Sequence, residues 1–160
     1  MTKHEIHRRF IEQLSAELDS LTSAAKNSAS LATDEAHRAE SKYDTFSLEN
    51  SYLARGQALR VEELRHALQR MQALPLSDLP AETPVRLGTL IRLKAADGTR
   101  RTLFFGPAAG GEKVVSDGEE IVIVTARSPL GQALLGKRVG DTFDFKLGAA
   151  THTFTVKTVE

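Results

Sequence analysis

The spacing of the apolar residues divides the chain into two parts. Up to residue 74, apolar side chains recur every three or four positions, which places them on one face of an α-helix. The residues with this spacing are Ile6, Phe10, Leu14, Leu18, Leu21 and Ala25 in a first run, and Val61, Leu64, Leu68 and Met71 in a second, which we expect Leu48, Tyr52 and Leu59 to extend toward the N-terminus. All five prolines and ten of the eleven glycines lie from Pro75 onward. The first part is therefore predicted to form two long helices.

The two predicted helices are similar in length, so they can pair only if the chain folds back near the middle of residues 3–73. This predicts a turn within or close to residues 37–42. Each arm would contain about 35 residues and extend for about 50 Å. Small side chains dominate residues 23–33, and they allow two helices to approach closely. We therefore predict a coiled-coil hairpin over residues 1–75.

The pattern changes after residue 75. Residues 75–84 contain three prolines, and we interpret residues 76–84 as a linker. From residue 85 onward, apolar and polar positions alternate as in half-buried β-strands. The segments with this alternation are 85–93, 102–105, 121–124, 142–147 and 153–156, with turns at Asp97-Gly98 and Asp117-Gly118. Residues 85–160 are therefore predicted to form a small antiparallel sheet.

One short helix interrupts the predicted strands. Ser128 is suited to the N-cap, Pro129 to the first helical position and Gly136 to the C-terminal end. The resulting fold class is α+β, with an N-terminal antiparallel helical hairpin followed by a domain of antiparallel sheet with one short helix.

Charge and composition exclude several classes of function. The chain has 21 Lys and Arg residues and 21 Asp and Glu residues, which argues against binding nucleic acid or an anionic membrane by bulk charge alone. Cysteine is absent, which excludes thiol catalysis and zinc sites built on thiolates. No apolar run reaches the roughly 18 residues of a membrane span, and the N-terminus is too polar for a signal peptide. We therefore expect a cytoplasmic protein with no membrane partner.

The order of these parts resembles the Gre-type (GreA/GreB) transcript-cleavage factors of bacterial RNA polymerase. The strongest local similarity is the segment from Ser128 to Asp141, SPLGQALLGKRVGD, which resembles that family's signature in its FKBP-like C-terminal domain. Residues 49–52, Glu-Asn-Ser-Tyr, are similar to the family's hairpin tip. However, Asp44 and Glu49 are five residues apart and no glycine precedes the aspartate. The chain therefore resembles a divergent branch of the family.

The resemblance implies a function at RNA polymerase. Factors of this kind insert the hairpin into the secondary channel and place carboxylates beside the catalytic Mg²⁺, which is shared with the polymerase and not stably bound by the factor alone. The acids that cluster around the predicted turn are Asp34, Glu35, Glu40 and Asp44. Mg²⁺ prefers carboxylate oxygens, and the resemblance implies that all four are metal ligands, with Asp44 and Glu40 as the catalytic pair.

The resemblance also implies a docking surface. Ser128, Pro129 and Leu130 would contact the rim of the polymerase channel. The protein would then be a monomeric accessory factor, not an enzyme itself, whose partner is RNA polymerase and whose contact with nascent RNA is indirect.

Other interpretations stay open. The acids near the turn are ordinary solvated charges in a factor that modulates or competes at the channel without stimulating cleavage. Alternatively, the C-terminal domain is a peptidyl-prolyl isomerase or chaperone, which needs an aromatic-lined apolar pocket. In a third interpretation, the hairpin is a structural adaptor that pairs with another helix.

Overall fold

The computed structural model describes the backbone of residues 1–38 and 44–160, and the side chains of these residues except 28, 32–38, 44–47 and 50. Two long helices open the chain, α1 (Lys3–Arg38) and α2 (Asp44–Gln72). The turn predicted within residues 37–42 falls mostly on residues 39–43, which lie outside the described part. The 36 residues of α1 extend for about 54 Å at 1.5 Å per residue.

Residues 12–68 form one compact unit that contains most of both helices. Arg60 of α2 reaches Glu17 of α1, with 3.5 Å between Nη2 and Oε1. The buried apolar side chains of this unit include Leu14, Val61, Leu64 and Leu68. They belong to the two predicted apolar runs, so the helical hairpin is confirmed.

The predicted extension of the second apolar run is wrong. Leu48, Tyr52 and Leu59 are 54%, 65% and 60% exposed. Successive residues of an α-helix are rotated by about 100° around the helix axis, so Leu59 and the buried Val61 are separated by a rotation of about 200°. They therefore lie on nearly opposite sides of the helix. Leu48, Tyr52 and Leu59 therefore form a second apolar stripe on the side of α2 opposite its buried residues. We refer to these three residues as the outer stripe.

Residues 1–11 and 69–160 form the second compact unit, which contains the sheet. Its elements are β1 (Leu90–Ala95), β2 (Arg100–Phe105), β3 (Lys113–Ser116), β4 (Glu119–Val124), α3 (Pro129–Leu134), β5 (Thr142–Leu147) and β6 (Ala150–Val159). The strand order is β3-β4-β2-β1-β6-β5. The predicted fold class is confirmed, whereas the predicted domain bounds of 1–75, 76–84 and 85–160 stay a prediction.

The sheet is mixed, although an antiparallel sheet is predicted from the sequence. Strands β2 and β4 are parallel, with Thr102 opposite Ile121 and Phe105 opposite Val124. The reason is β3, a strand that the alternation of residues does not predict because Val114 and Val115 are adjacent. The chain forms β3 at the sheet edge and turns back at Asp117-Gly118, so β4 enters beside β2 in the same direction.

Strand β1 starts later than predicted. The N–H of Val85 donates to the carbonyl of Lys137 at 2.8 Å, outside the strand ladder. Gly88 has a φ of 81°, a left-handed conformation that β-strands do not accommodate. The hydroxyl of Thr89 donates to the carbonyl of Arg86 at 2.7 Å. Residues 85–89 therefore form a turn that leads into β1.

The two faces of the sheet carry different layers. One face bears α3 and a core that includes Leu103, Phe105 and Phe154. Because neighbouring residues of a strand point to opposite faces, Phe104 lies on the other face. There its ring packs against His7 and Phe10 at the start of α1, with centroid distances of 5.7 and 5.9 Å. The first residues of α1 are thus part of the core of the sheet unit.

Candidate functional site

The segment that leads into α3 is held by Ser128. This residue has extended backbone angles (φ −80°, ψ 151°) and caps the helix. Its Oγ accepts a hydrogen bond from the N–H of Gly131 at 3.0 Å and donates one to the carbonyl of Thr125 at 2.9 Å. The predicted N-cap serine and first-turn proline are therefore confirmed, and Ser128 also fixes the preceding turn.

Gly131 is a structural requirement of this segment that the sequence analysis missed. A Cβ built on Gly131 would fall 1.8 Å from the carbonyl oxygen of Thr125. Real non-bonded contacts are much longer, so any side chain at this position would force the helix away from the turn. A glycine inside a helical pattern is a recognisable signal for such a close approach.

Of the three residues predicted to bind polymerase, Leu130 lines an apolar groove. Pro129 is exposed, while Ser128 and Leu130 are half-buried. Leu130 lines the groove together with Leu103, Val122, Phe145, Leu147 and Phe154. The groove has a volume of about 230 Å³, and Arg101, Lys113 and Glu120 also line it. An apolar floor with charged side chains at its margin is suited to contact with another protein.

Sequence alternation does not predict that residues of β5 line a groove. Phe143, Phe145 and Leu147 alternate along this predicted strand, and all three are only half-buried. They pack against the core without being covered by it. The signal was present as an apolar face at a sheet edge, but sequence alternation does not tell whether another element covers that face.

The groove is small for an isomerase site. Pockets for small-molecule and peptide ligands usually have volumes of about 300–1,000 Å³ and enclose most of the ligand. Of the seven phenylalanines, Phe145 and Phe154 line this groove, and Phe154 is fully buried in the core. These features do not favour the peptidyl-prolyl isomerase interpretation.

The acidic residues near the predicted turn are only partly described. Asp34 and Glu35 lie in the last turns of α1, and Asp44 is the first residue of α2. Glu40 lies outside the described residues, as do the side chains of the other three. Within the part of the chain whose side chains are described, no three His, Cys, Asp or Glu residues are grouped to hold a metal ion. The Mg²⁺ site at the tip stays a prediction.

Among the described residues, three ionisable groups at turns and helix ends have shifted pKa values. Hydrogen bonds from Thr2 lower the pKa of Glu5, which completes the N-terminal cap of α1. Hydrogen bonds from Thr99, and then the neighbouring His152, lower the pKa of Asp97. Desolvation by burial lowers the pKa of Lys3, whose Nζ donates to the carbonyl of Ser77 at 2.8 Å. None of these groups lines the apolar groove.

Comparison with solved structures finds similar chains of low identity. Gfh1 of Thermus aquaticus is 21% identical, with 92% of each chain covered and a TM-score of 0.39. The GreA factor homolog 1 (Gfh1) protein of Thermus thermophilus is 19% identical, with 94% of each chain covered and a TM-score of 0.39. A GreA/GreB elongation factor from Nitrosomonas europaea is 19% identical over 60% of this chain and 77% of the other, with a TM-score of 0.37.

The sequence of the C-terminal half identifies the family. No curated protein matches the chain significantly. Separately, no helix in the described part of the chain is long and apolar enough to cross a bilayer. Residues 81–160 match the family described as "Transcription elongation factor, GreA/GreB, C-term". This match covers half of the chain and contains the whole segment from Ser128 to Leu130. The protein therefore belongs to the GreA/GreB family of transcription elongation factors.

Proposed function

We propose that the protein binds RNA polymerase and regulates elongation by inserting its helical hairpin into the secondary channel. The observation that carries this proposal is the family match over residues 81–160, which includes Ser128, Pro129 and the groove residue Leu130. The groove and the exposed Pro129 would dock on the rim of the channel. This docking would direct the hairpin to the polymerase active site.

The outer stripe of α2 supports a role for the hairpin in binding. Three large apolar side chains along one helix face are more than half exposed, although the opposite face of the same helix is buried. A helix that only pairs with α1 needs one apolar face. Such exposed apolar side chains on one helix face would contact a partner, and the wall of the channel would be that partner.

The tip of the hairpin would act on backtracked RNA. Asp44, Glu40, Glu35 and Asp34 supply carboxylate oxygens, so this donor set fits Mg²⁺, which prefers oxygen ligands and retains several waters. The bound ion would supply a more acidic water and charge stabilisation for phosphodiester hydrolysis. The role of the four carboxylates would be to position that ion beside the polymerase active site, with Asp44 and Glu40 nearest the RNA.

Stalled elongation complexes test binding and cleavage separately. We expect Leu130→Glu to abolish binding to polymerase, because a charge would enter the apolar groove. Asp44→Asn with Glu40→Gln should preserve binding and lower the rate of RNA cleavage. The matched control is Asp19→Asn with Glu63→Gln, two exposed positions away from the tip that change the net charge equally.

The outcomes separate the two forms of the proposal. Binding without Mg²⁺-dependent cleavage by the unmodified protein would favour a non-cleaving modulator or competitor at the same channel. The sequence favours this alternative to the extent that Arg38 and Lys42 lie among the acids. Failure of the unmodified protein to bind polymerase would reject both forms.

A further inference from the structure

A second groove of the sheet unit is lined by a group of cations. The basic residues along it are Arg92, Lys94, Arg100, Arg101 and Lys157, and the groove has a volume of about 740 Å³. They come from β1, β2 and β6, three neighbouring strands of the sheet. The whole chain has zero formal charge, so this groove is a local concentration of positive charge. We refer to it as the basic groove.

The strand register places like charges directly against one another. Lys94 of β1 is opposite Arg100 of β2, and Arg92 lies two residues along β1 on the same face. Like charges at directly opposed positions destabilise a sheet. The opposed pair of Lys94 and Arg100 therefore does not stabilise the sheet, and its presence needs another explanation.

The carboxylates that line the basic groove are engaged with other groups. Glu120 pairs with Lys113 at 3.2 Å, Asp117 pairs with the amino group of Met1 at 3.4 Å, and Glu119 accepts a hydrogen bond from the hydroxyl of Thr102. Asp117 and Glu120 are therefore paired with cations other than those of β1, β2 and β6, and Glu119 is held by Thr102.

Arg92 bonds to Glu160, whereas three other cations of the groove have no such partner among the described residues. The side chains of Lys94, Arg100 and Lys157 form no ion pair or hydrogen bond with the residues that the structure describes. All three are exposed, so their charges are available to an anion from solution.

We propose that the basic groove binds phosphate groups, from a nucleic-acid backbone or from a free polyphosphate. Lysine and arginine are the usual protein partners of phosphate oxygens, and the volume is within the usual range for ligand sites. No aromatic side chain of the described residues lines the basic groove, so these residues offer no stacking platform for bases. Binding is therefore directed at phosphate and independent of base sequence. The site does not depend on insertion of the hairpin.

The purified protein without polymerase tests the proposal. We would measure the binding of a fluorescent single-stranded DNA of mixed sequence, with inorganic tripolyphosphate as a competitor. Thermal-shift assays would measure direct binding of tripolyphosphate. The groove variant combines Lys94→Gln, Arg100→Gln and Lys157→Gln. The matched control combines Arg55→Gln, Arg65→Gln and Arg70→Gln on α2, which removes the same charge from another surface.

The expected result is a loss of binding confined to the groove variant. Its affinity should fall by roughly tenfold or more, and the slope of log K against log salt should decrease by about 2, because each neutralised phosphate of a single strand contributes about 0.7. DNA binding that tripolyphosphate cannot displace identifies the nucleic-acid backbone as the ligand. Stabilisation by tripolyphosphate without DNA binding identifies the free anion.

Three results would overturn the proposal. These are the absence of binding to either probe, equal binding by the groove variant and the unmodified protein, and an equal loss in the control variant, which would indicate bulk electrostatics. Circular dichroism and the melting temperature establish that the groove variant is folded. The single variant Arg100→Gln, expected to lose part of the affinity, repeats the test if the triple variant is unfolded.

Discussion

Gly131 and Thr125 approach each other so closely that a Cβ on the glycine would lie 1.8 Å from the threonine carbonyl oxygen. We expect Gly131→Ala to lower the free energy of unfolding by about 3 kcal/mol, the upper part of the range for overpacking. The matched control is Gly56→Ala, because a Cβ at Gly56 meets no atom of the described residues within 4 Å. That change should stabilise α2 by about 0.5–1 kcal/mol. Urea denaturation measures both, and equal stability of the two variants would contradict the assignment.

Ser128 both caps α3 and ties it to the preceding turn. Ser128→Ala should lower the free energy of unfolding by about 1 kcal/mol, since the N–H of Gly131 loses its acceptor. Ser128→Thr keeps the hydroxyl and should remain close to the unmodified protein. Thermal denaturation compares the two, and an alanine variant as stable as the threonine variant would show that the cap is dispensable.

The stability of the β1–β2 turn should depend on pH through Asp97. The pKa of Asp97 is lowered in the folded protein, chiefly by the Thr99 N–H. The ionised carboxylate therefore stabilises the fold at pH values above its ordinary pKa of 3.8. This contribution is lost as the pH falls through the lower pKa of the folded state. Asp97→Asn should reduce the loss of stability on acidification. Urea midpoints measured down to below this pH test the expectation. In the control variant Asp144→Asn, Asp97 is intact, so the loss of stability on acidification that Asp97 causes should remain.

Substitutions on the two apolar faces of α2 should change different properties, namely stability on the buried face and polymerase binding on the outer stripe. Leu64 is buried, and Leu64→Ala should lower the free energy of unfolding by about 2–5 kcal/mol. Leu59→Glu on the outer stripe should change it by no more than about 0.5 kcal/mol, as is usual for exposed positions, while weakening binding to polymerase. A large loss of stability in Leu59→Glu would show that the outer stripe is covered within the free protein.

Removing one cation from the basic groove should stabilise the fold. Lys94 and Arg100 oppose each other in the β1–β2 register, so Arg100→Thr should raise the free energy of unfolding by about 0.2–1 kcal/mol. Threonine also suits a strand. Chemical denaturation at low salt gives the clearest measurement, because salt screens the repulsion. A loss of stability would mean that Arg100 has a structural role in the sheet.

Local signals in the sequence were sufficient to predict α3 and most of the strands. Ser128, Pro129 and Gly136 mark both ends of the short helix, and β5 coincides with its predicted bounds of 142–147. In these segments the local preference and the tertiary environment agree. The same holds for the buried run of Val61, Leu64 and Leu68 on α2.

The errors arose where tertiary partners decide the outcome. Nothing in the spacing of Leu48, Tyr52 and Leu59 shows which side of the helix α1 occupies. The parallel pairing of β2 and β4 depends on the short strand β3, whose sequence KVVS does not alternate although its burial does. The groove beside Leu130 depends on which strand faces are left uncovered, a property of the assembled sheet.

The start of α1 and the end of α2 lie side by side in the sheet unit, where Nε2 of His7 is 2.8 Å from the carbonyl oxygen of Met71. The chain therefore leaves this unit after residue 11 and returns at residue 69 through two adjacent points. The intervening helical residues could therefore be replaced without changing the sheet unit. A linker of a few Gly and Ser residues should join the two points and leave a sheet unit that folds alone. Helices of other lengths could be inserted at the same two points.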